Sequence, residues 1–350
     1  MGTVFTPTEE TFPHTADAVV IGGGIVGTAT AFWLSRAGLD TVVIERRGGL
    51  STLTTSKSAE CFRAQFTEPA MVELARPSIE VFENFAEVVG LPGYSIDIHQ
   101  QGYLFLTSQP RMLDELQAAV QAYHRLGVTD AEFLSGDEAR ARFPFLSPAV
   151  LAATIRQRDG WLSAHELTYG FAKGSHARFL LRTGVTGIQL KGGAIGGVET
   201  TRGVISTRIV VDAAGPFAAQ VAKMAGVELP IQTVRRQKVV VTAKGHVAPE
   251  MPMTIDVDNG SYCRPEGGGA LFGWVDPDEP ATGPLEDPAL DWEFPAVCLD
   301  KIARLAPFWA EVAEKLRKAD LDLSAGQYSY TPDDQPLLGP VPEVPGFHVN

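Results

Sequence analysis

Residues 17–45, DAVVIGGGIVGTATAFWLSRAGLDTVVIE, constrain the chain more than any other stretch. Residues 18–21 are a short apolar, β-branched run. Gly22, Gly24 and Gly27 follow as G-x-G-x-x-G around Ile25 and Val26, and an apolar helical segment runs on to Ala37. Gly38 ends that helix, and residues 41–44 read as a second buried strand. Glu45 stands at its end, 21 residues after Gly24, where a carboxylate can accept the hydroxyl hydrogens of an adenosine ribose. One glycine allows the tight turn, one lets the backbone approach a pyrophosphate, and one lets helix and strand pack closely. The helix N-terminus offers free N–H groups and the positive end of its dipole to the phosphates. This order of elements predicts a dinucleotide clamp. Glu45 would repel a 2′-phosphate, so NAD or FAD fits better than NADP.

The uncharged run over residues 18–35 is too short and too rich in glycine for a membrane span, and a buried βα unit accounts for it. With 350 residues and 45% apolar content the chain can fill two compact cores. A net charge of −13, without a basic tract, excludes a general nucleic-acid binder. Cys61, Cys263 and Cys298 are odd in number and widely spaced, which fits neither a disulfide framework nor a zinc site. A reducing cytoplasm is the expected location. Residues 1–16 hold no Lys, Arg or apolar core and are expected to be a disordered lead-in.

Beyond Arg46 the chain enters a hydroxyl-rich loop containing Thr54, Thr55, Lys57 and Ser58, which serves either as a solvated loop with a helix cap or as a phosphate contact. Residues 68–89 have helical spacing with a kink or break expected at Pro77. Residues 96–107 read as a hairpin about Gln101-Gly102, and residues 110–126 as a polar helix. From Trp161 the pattern returns to α/β: a helix over 163–177, strands over 179–188, 195–200 and 204–211, then the small residues Ala213, Ala214 and Gly215 at a strand end, where a ligand can approach. Residues 230–275 read as an antiparallel unit, 276–295 as an acidic, Pro-rich loop, 295–318 as a helix and 323–330 as a strand. His99, His124, His165 and His176 show no partner spacing and are expected to be structural or exposed.

Several motifs in order carry a resemblance: G-G-G-I-V-G at 22–27 with Glu45, S-K-S-A-E-C-F-R-A-Q-F at 56–66, Q-G-Y-L-F-L at 101–106, V-V-D-A-A-G-P at 210–216, Y-C-R-P-E-G-G-G at 262–269 and Q-Y-S-Y-T-P-D-D-Q-P-L-L-G-P at 327–340. With these the chain resembles the D-amino acid oxidase superfamily of FAD enzymes, in the branch of sarcosine oxidase, glycine oxidase and proline dehydrogenase β-subunits. The resemblance implies an α/β fold: a Rossmann-type FAD-binding domain over 17–91, 146–229 and 326–350, with an inserted, largely antiparallel substrate-binding domain over 92–145 and 230–325. It implies that Glu45 binds the ribose, that Thr54, Thr55, Lys57 and Ser58 lie near pyrophosphate or flavin, that Val185 meets the adenine through its backbone, and that Gly215 lies close to the cofactor. Arg63 stands where the family binds a substrate carboxylate, a role suited to a bidentate guanidinium. Tyr262 matches a tyrosine lining the substrate cavity, and Arg264, Tyr328 and Gln65 are further pocket candidates. The implied reaction is dehydrogenation of a C–N bond beside a carboxylate, with hydride passing to flavin N5. The implied partner is a small amine or amino acid, with homo- or hetero-oligomers known among similar enzymes.

The chain also departs from that pattern. Oxidases of the branch carry a lysine over the flavin in the strand that here reads Ala-Leu-Phe-Gly-Trp at 270–274, which turns the expectation away from oxygen as acceptor. Glu60 stands where similar sarcosine oxidases carry arginine. No cysteine follows Cys298 and no histidine lies between Ala16 and His99, so a dissociable, non-covalent FAD is expected. Similar chains continue after a strand such as 346–350 into a Gly-rich segment and a closing helix, so the expectation is a trimmed chain or weak flavin binding. Two alternatives stand beside the amine reading: a flavin 2-hydroxyacid or polyol-phosphate dehydrogenase, and a flavin-binding assembly subunit without turnover.

Overall fold

The computed structural model describes residues 1–243, 245 and 247–350; of the stretch read as an antiparallel unit, positions 244 and 246 lie outside the described residues. Two sheets dominate. The first has seven strands in the order Thr3–Phe5, Arg178–Leu180, Thr41–Ile44, Ala18–Ile21, Ile209–Asp212, Phe347–Val349, Gly339–Pro340. All but the last pair are parallel. Ala18–Ile21 and Thr41–Ile44 are buried along their whole length, which is why both read as unbroken apolar runs rather than alternating ones. Helices Ile25–Arg36 and Ala164–Gly174 pack together on one face, with Phe32 and Phe171 rings 5.3 Å apart. A three-stranded antiparallel sheet, Val185–Lys191, Ala194–Thr200 and Gly203–Ile205, covers the other face and shares a core with Val19, Ile21 and Val42.

The second sheet has nine strands. Registered pairs lay one row of side chains across its face: Phe133, Thr154, Phe105, Ile255, Tyr262, Gly273, Lys238, Ser324. Cross-strand partners point the same way, so this row belongs to one surface. That surface meets the chain between Ser56 and Gln65, because Thr154 Oγ1 donates to Gln65 and Lys238 Nζ donates to the carbonyls of Ser56 and Ser58. The opposite face, with Val239, Val241 and Phe272, is buried under helices Phe294–Ala303 and Phe308–Lys315.

Several expectations are corrected. The first residues are not a disordered lead-in: Thr3–Phe5 pairs in parallel with Arg178–Leu180, and Thr15 bridges to Ser206. Residues 96–107 do not form a hairpin. Tyr103–Thr107 pairs instead with Met253–Asp256 and Ala152–Arg156, while His99 bridges to Trp161, so that segment runs away from the strand it precedes. Of the kink or break expected at Pro77, the break does not occur, because Pro77 lies inside one helix, Pro69–Glu83. The helix expected over 295–318 is two, parted around Pro307, whose missing N–H cannot continue the ladder. The run at 179–188 divides between two sheets, Arg178–Leu180 and Val185–Lys191, at Arg182 with φ 52°.

Candidate functional site

Ala18–Ile21 and Ile209–Asp212 are neighbours in the first sheet, and a groove opens beyond their carboxyl ends. Gly22 adopts φ 116°, and a Cβ there would stand 2.3 Å from the carbonyl oxygen of Ala213. A Cβ on Gly27 would come within 1.9 Å of the Gly22 carbonyl, so this glycine lets helix Ile25–Arg36 sit against the turn. The resulting cavity, about 360 Å³, is lined by Gly22, Gly24, Ile25, Val26, Glu45, Thr54, Thr55 and Ser58, then by Ala214, Gly215 and Tyr328. A second cavity of about 200 Å³ shares Gly22, Glu45 and Ala214 with it and reaches Arg46, Val185 and Phe217. Glu45 is fixed by two backbone donors, from Gly23 N at 2.8 Å and Arg47 N at 2.7 Å. Thr55 Oγ1 accepts from Ile25 N at 3.1 Å, tying the hydroxyl-rich segment to the first turn of the helix. Thr54 Oγ1 donates to the Gln327 carbonyl at 3.0 Å, tying it to the second sheet. Arg46 turns outward over the Phe217 ring at 3.8 Å and pairs with Glu286 at 3.2 Å. Lys57 lies outside the main groove, beside a smaller cavity with Thr54 and Pro216.

A dinucleotide fits these features. Glu45 lines both cavities, the glycine turn and helix N-terminus offer backbone N–H groups suited to phosphates, and Ser58, Ala164 and Tyr328 line the main groove alone. Beyond these residues lies the row of side chains on the second sheet. Arg63 sits over it, its guanidinium 3.7 Å from the Phe66 ring centre and 5.4 Å from that of Phe105, and it donates to the carbonyl of Gln65. No carboxylate among the described residues forms an ion pair with it. Glu60 pairs at 3.9 Å with Lys238 instead. Tyr262 packs with Tyr103, Phe105 and Ile255 in the same aromatic group. Burial drives its phenol well above the ordinary tyrosine range, so it stays protonated.

The family model described as FAD dependent oxidoreductase matches residues 17–350. The chain belongs to that FAD-dependent oxidoreductase family. It is 28% identical to human dimethylglycine dehydrogenase, mitochondrial, over 352 residues, and 30% identical to human sarcosine dehydrogenase, mitochondrial, over 353. Those alignments cover 95% and 96% of this chain but 40% and 37% of the two relatives, so the chain spans about two fifths of their length. Among solved structures, L-proline dehydrogenase from P. horikoshii superposes with a TM-score of 0.84 at 28% identity, covering 97% of this chain and 88% of that one.

In this member of the FAD-dependent oxidoreductase family the weaker pocket candidates divide. Tyr328 lines the groove, but Gln65 is consumed by structure: its amide donates to the Tyr103 carbonyl at 2.8 Å and accepts from Thr154. Arg264 is a clamp, donating to the Ala59 carbonyl and pairing with Glu266. Two further contributors emerge from the fold. Gln327 holds the acidic loop through Leu285 N at 2.6 Å and Gly283 O at 3.0 Å, and Lys238 holds the Ser56 and Ser58 carbonyls. The strand of Lys238, QTVRRQKVVV, also carries Arg235 and Arg236, so the sequence alone does not single it out. No helix is long and apolar enough to cross a membrane among the described residues.

Proposed function

We propose that the chain dehydrogenates the C–N bond of an amino acid or N-methyl amino acid, with Arg63 binding the substrate carboxylate and Tyr262 lining its site. The observation that carries this reading is the guanidinium of Arg63, mostly buried among aromatic rings and without an ion pair among the described residues. Burial lowers its pKa from the ordinary arginine value, and an incoming carboxylate would replace the lost solvation with paired, charge-assisted hydrogen bonds. Three similar proteins, dimethylglycine, sarcosine and L-proline dehydrogenases, are named for substrates with an amine next to a carboxylate.

FAD supplies the two-electron acceptor when bound. The chain's own task is then to hold the substrate carbon toward the Ser58–Tyr328 end of the groove and to keep water out. Its side chains are poorly suited to covalent catalysis: burial pushes the Cys61 thiol up to about 11, so little thiolate exists at neutral pH. Tyr262, protonated throughout, can donate a hydrogen bond but cannot act as a base. None of the residues lining the main groove is a cysteine or histidine, which supports a dissociable FAD. Acid precipitation should leave the yellow colour in the supernatant; colour in the pellet overturns that point. The three free thiols suit a reducing compartment.

A panel of sarcosine, dimethylglycine, proline and 2-hydroxyacids, with a dye as terminal acceptor, tests the reading. Dye reduction by amino acids supports it, and reduction by 2-hydroxyacids alone overturns it. Arg63→Met should weaken kcat/KM for a carboxylate substrate by roughly 10- to 150-fold, the worth of a charged hydrogen bond at about 1.5–3 kcal/mol.

A further inference from the structure

Lys238 is a buried cation to which the proposed reaction assigns no task. It is 8% exposed in strand Gln232–Val241 and shares the sheet row with Tyr262 and Gly273. Its Nζ donates to the Ser58 carbonyl at 2.6 Å and the Ser56 carbonyl at 3.2 Å. The Glu60 carboxylate stands off at 3.9 Å, beyond hydrogen-bond range. The ammonium is therefore solvated mainly by carbonyl dipoles, and its charge is only partly offset. Glu60 is held in place by an uncommon backbone, φ 62°, which turns the chain between Ser58 and the short strand Cys61–Phe62. The other charges bearing on the pair are Arg264, Glu266 and Lys57.

Ser58 links this buried charge to the cofactor. It lines the main groove with Ala164 and Tyr328 but, unlike Glu45, not the second cavity that reaches Val185. With Glu45 holding the adenosine ribose, the redox-active ring would lie toward Ser58. A positive charge behind Ser58, in a poorly polarisable interior, favours the more electron-rich reduced cofactor. Lys238 also turns the negative ends of the Ser56 and Ser58 carbonyls toward itself.

We propose that Lys238 is a positioning residue that sets the electron affinity of bound FAD, acting through the Ser56–Ser58 carbonyls it holds and opposed by Glu60. The test is the midpoint potential of the FAD-loaded protein at pH 8, measured by equilibration with reference dyes and so independent of any substrate. Lys238→Met should weaken the two-electron reduction equilibrium about tenfold, a potential ~30 mV lower, and Lys238→Arg should restore most of it. Glu60→Gln should shift the equilibrium the opposite way, by several-fold. A Lys238→Met protein that binds FAD with a reduction equilibrium within twofold of the parent overturns the proposal. If that variant fails to hold FAD, Glu60→Gln decides alone: an unchanged or lowered potential overturns the proposal, and a raised one supports it.

Discussion

Both oxygens of Glu45 accept backbone N–H groups, from Gly23 and Arg47, so the carboxylate shapes the glycine turn before any ribose arrives. Glu45→Ala should weaken FAD binding by roughly 10- to 150-fold through loss of about 1.5–3 kcal/mol of charged hydrogen bonding, read by flavin fluorescence on dilution. Asp212 behaves differently. It is almost wholly buried at the end of Ile209–Asp212; Oδ1 accepts from Ala214 N, while Oδ2 has no partner among the described residues. Burial pushes its carboxyl up to about 7. The folded state thus binds a proton more tightly than the unfolded one, so stability falls as pH rises from about 4 to about 7 and stays lowered above that. Asp212→Asn should melt several degrees above the parent at pH 8, with the gap closing toward pH 5. A constant gap across that range would show that the carboxylate is already neutral or solvated. Residue roles were unevenly legible. The turn and close-packing glycines, Gly22 and Gly27, are legible because their spacing sets their geometry, whereas Gln65 and Arg264, polar residues inside a motif, are held by the Tyr103 and Ala59 carbonyls that only the fold brings near.

Among elements, the acidic stretch following strand Gly269–Trp274 is the least local. It leaves the second sheet and returns over the first, where Glu286 meets Arg46 at 3.2 Å and Arg47 at 3.4 Å, and Asp287 meets Arg47 at 3.8 Å. Gln327 pins its middle. These ion pairs are exposed and each is worth about 0–1 kcal/mol. Glu286→Gln with Asp287→Asn should therefore speed FAD release by no more than about fivefold in low salt. Added salt should bring the parent toward the variant. Release at equal rates in low salt would show that the strap does not restrain the cofactor. Gln327→Ala removes the pin itself and should speed release further. Helices are more legible than strand partners because their apolar spacing is internal to each segment, although the division around Pro307 departs from the single helix expected. The hairpin expected about Gln101-Gly102 failed because turn chemistry names a turn and not the strand beyond it. Gly102 does take φ 95°, yet the partners of Tyr103–Thr107 lie about fifty residues down the chain and in a strand beginning at Met253.

For the whole molecule, the groove lies between two sheets linked at its rim by contacts that include Thr54 to Gln327, Lys238 to Ser58, and Arg264 to Ala59. FAD bridging that seam should stabilise both sheets together. At 100 times its dissociation constant a ligand adds about 2.7 kcal/mol, so calorimetry of the loaded protein should show one transition at higher temperature. Two separated transitions would mean that the sheets unfold independently even when bridged. The strand order also dictates a timetable. Ala18–Ile21 is made early but takes its neighbour Ile209–Asp212 from much later in the chain, and Thr3–Phe5 must await Arg178–Leu180. At ribosomal rates of 5–20 residues per second, the gap of about 190 residues corresponds to roughly 10–40 s. During that interval the most apolar strand of the protein has one partner and one bare edge. The nascent chain is thus most prone to aggregation while its glycine turn is complete and the wall of its groove has yet to be synthesised.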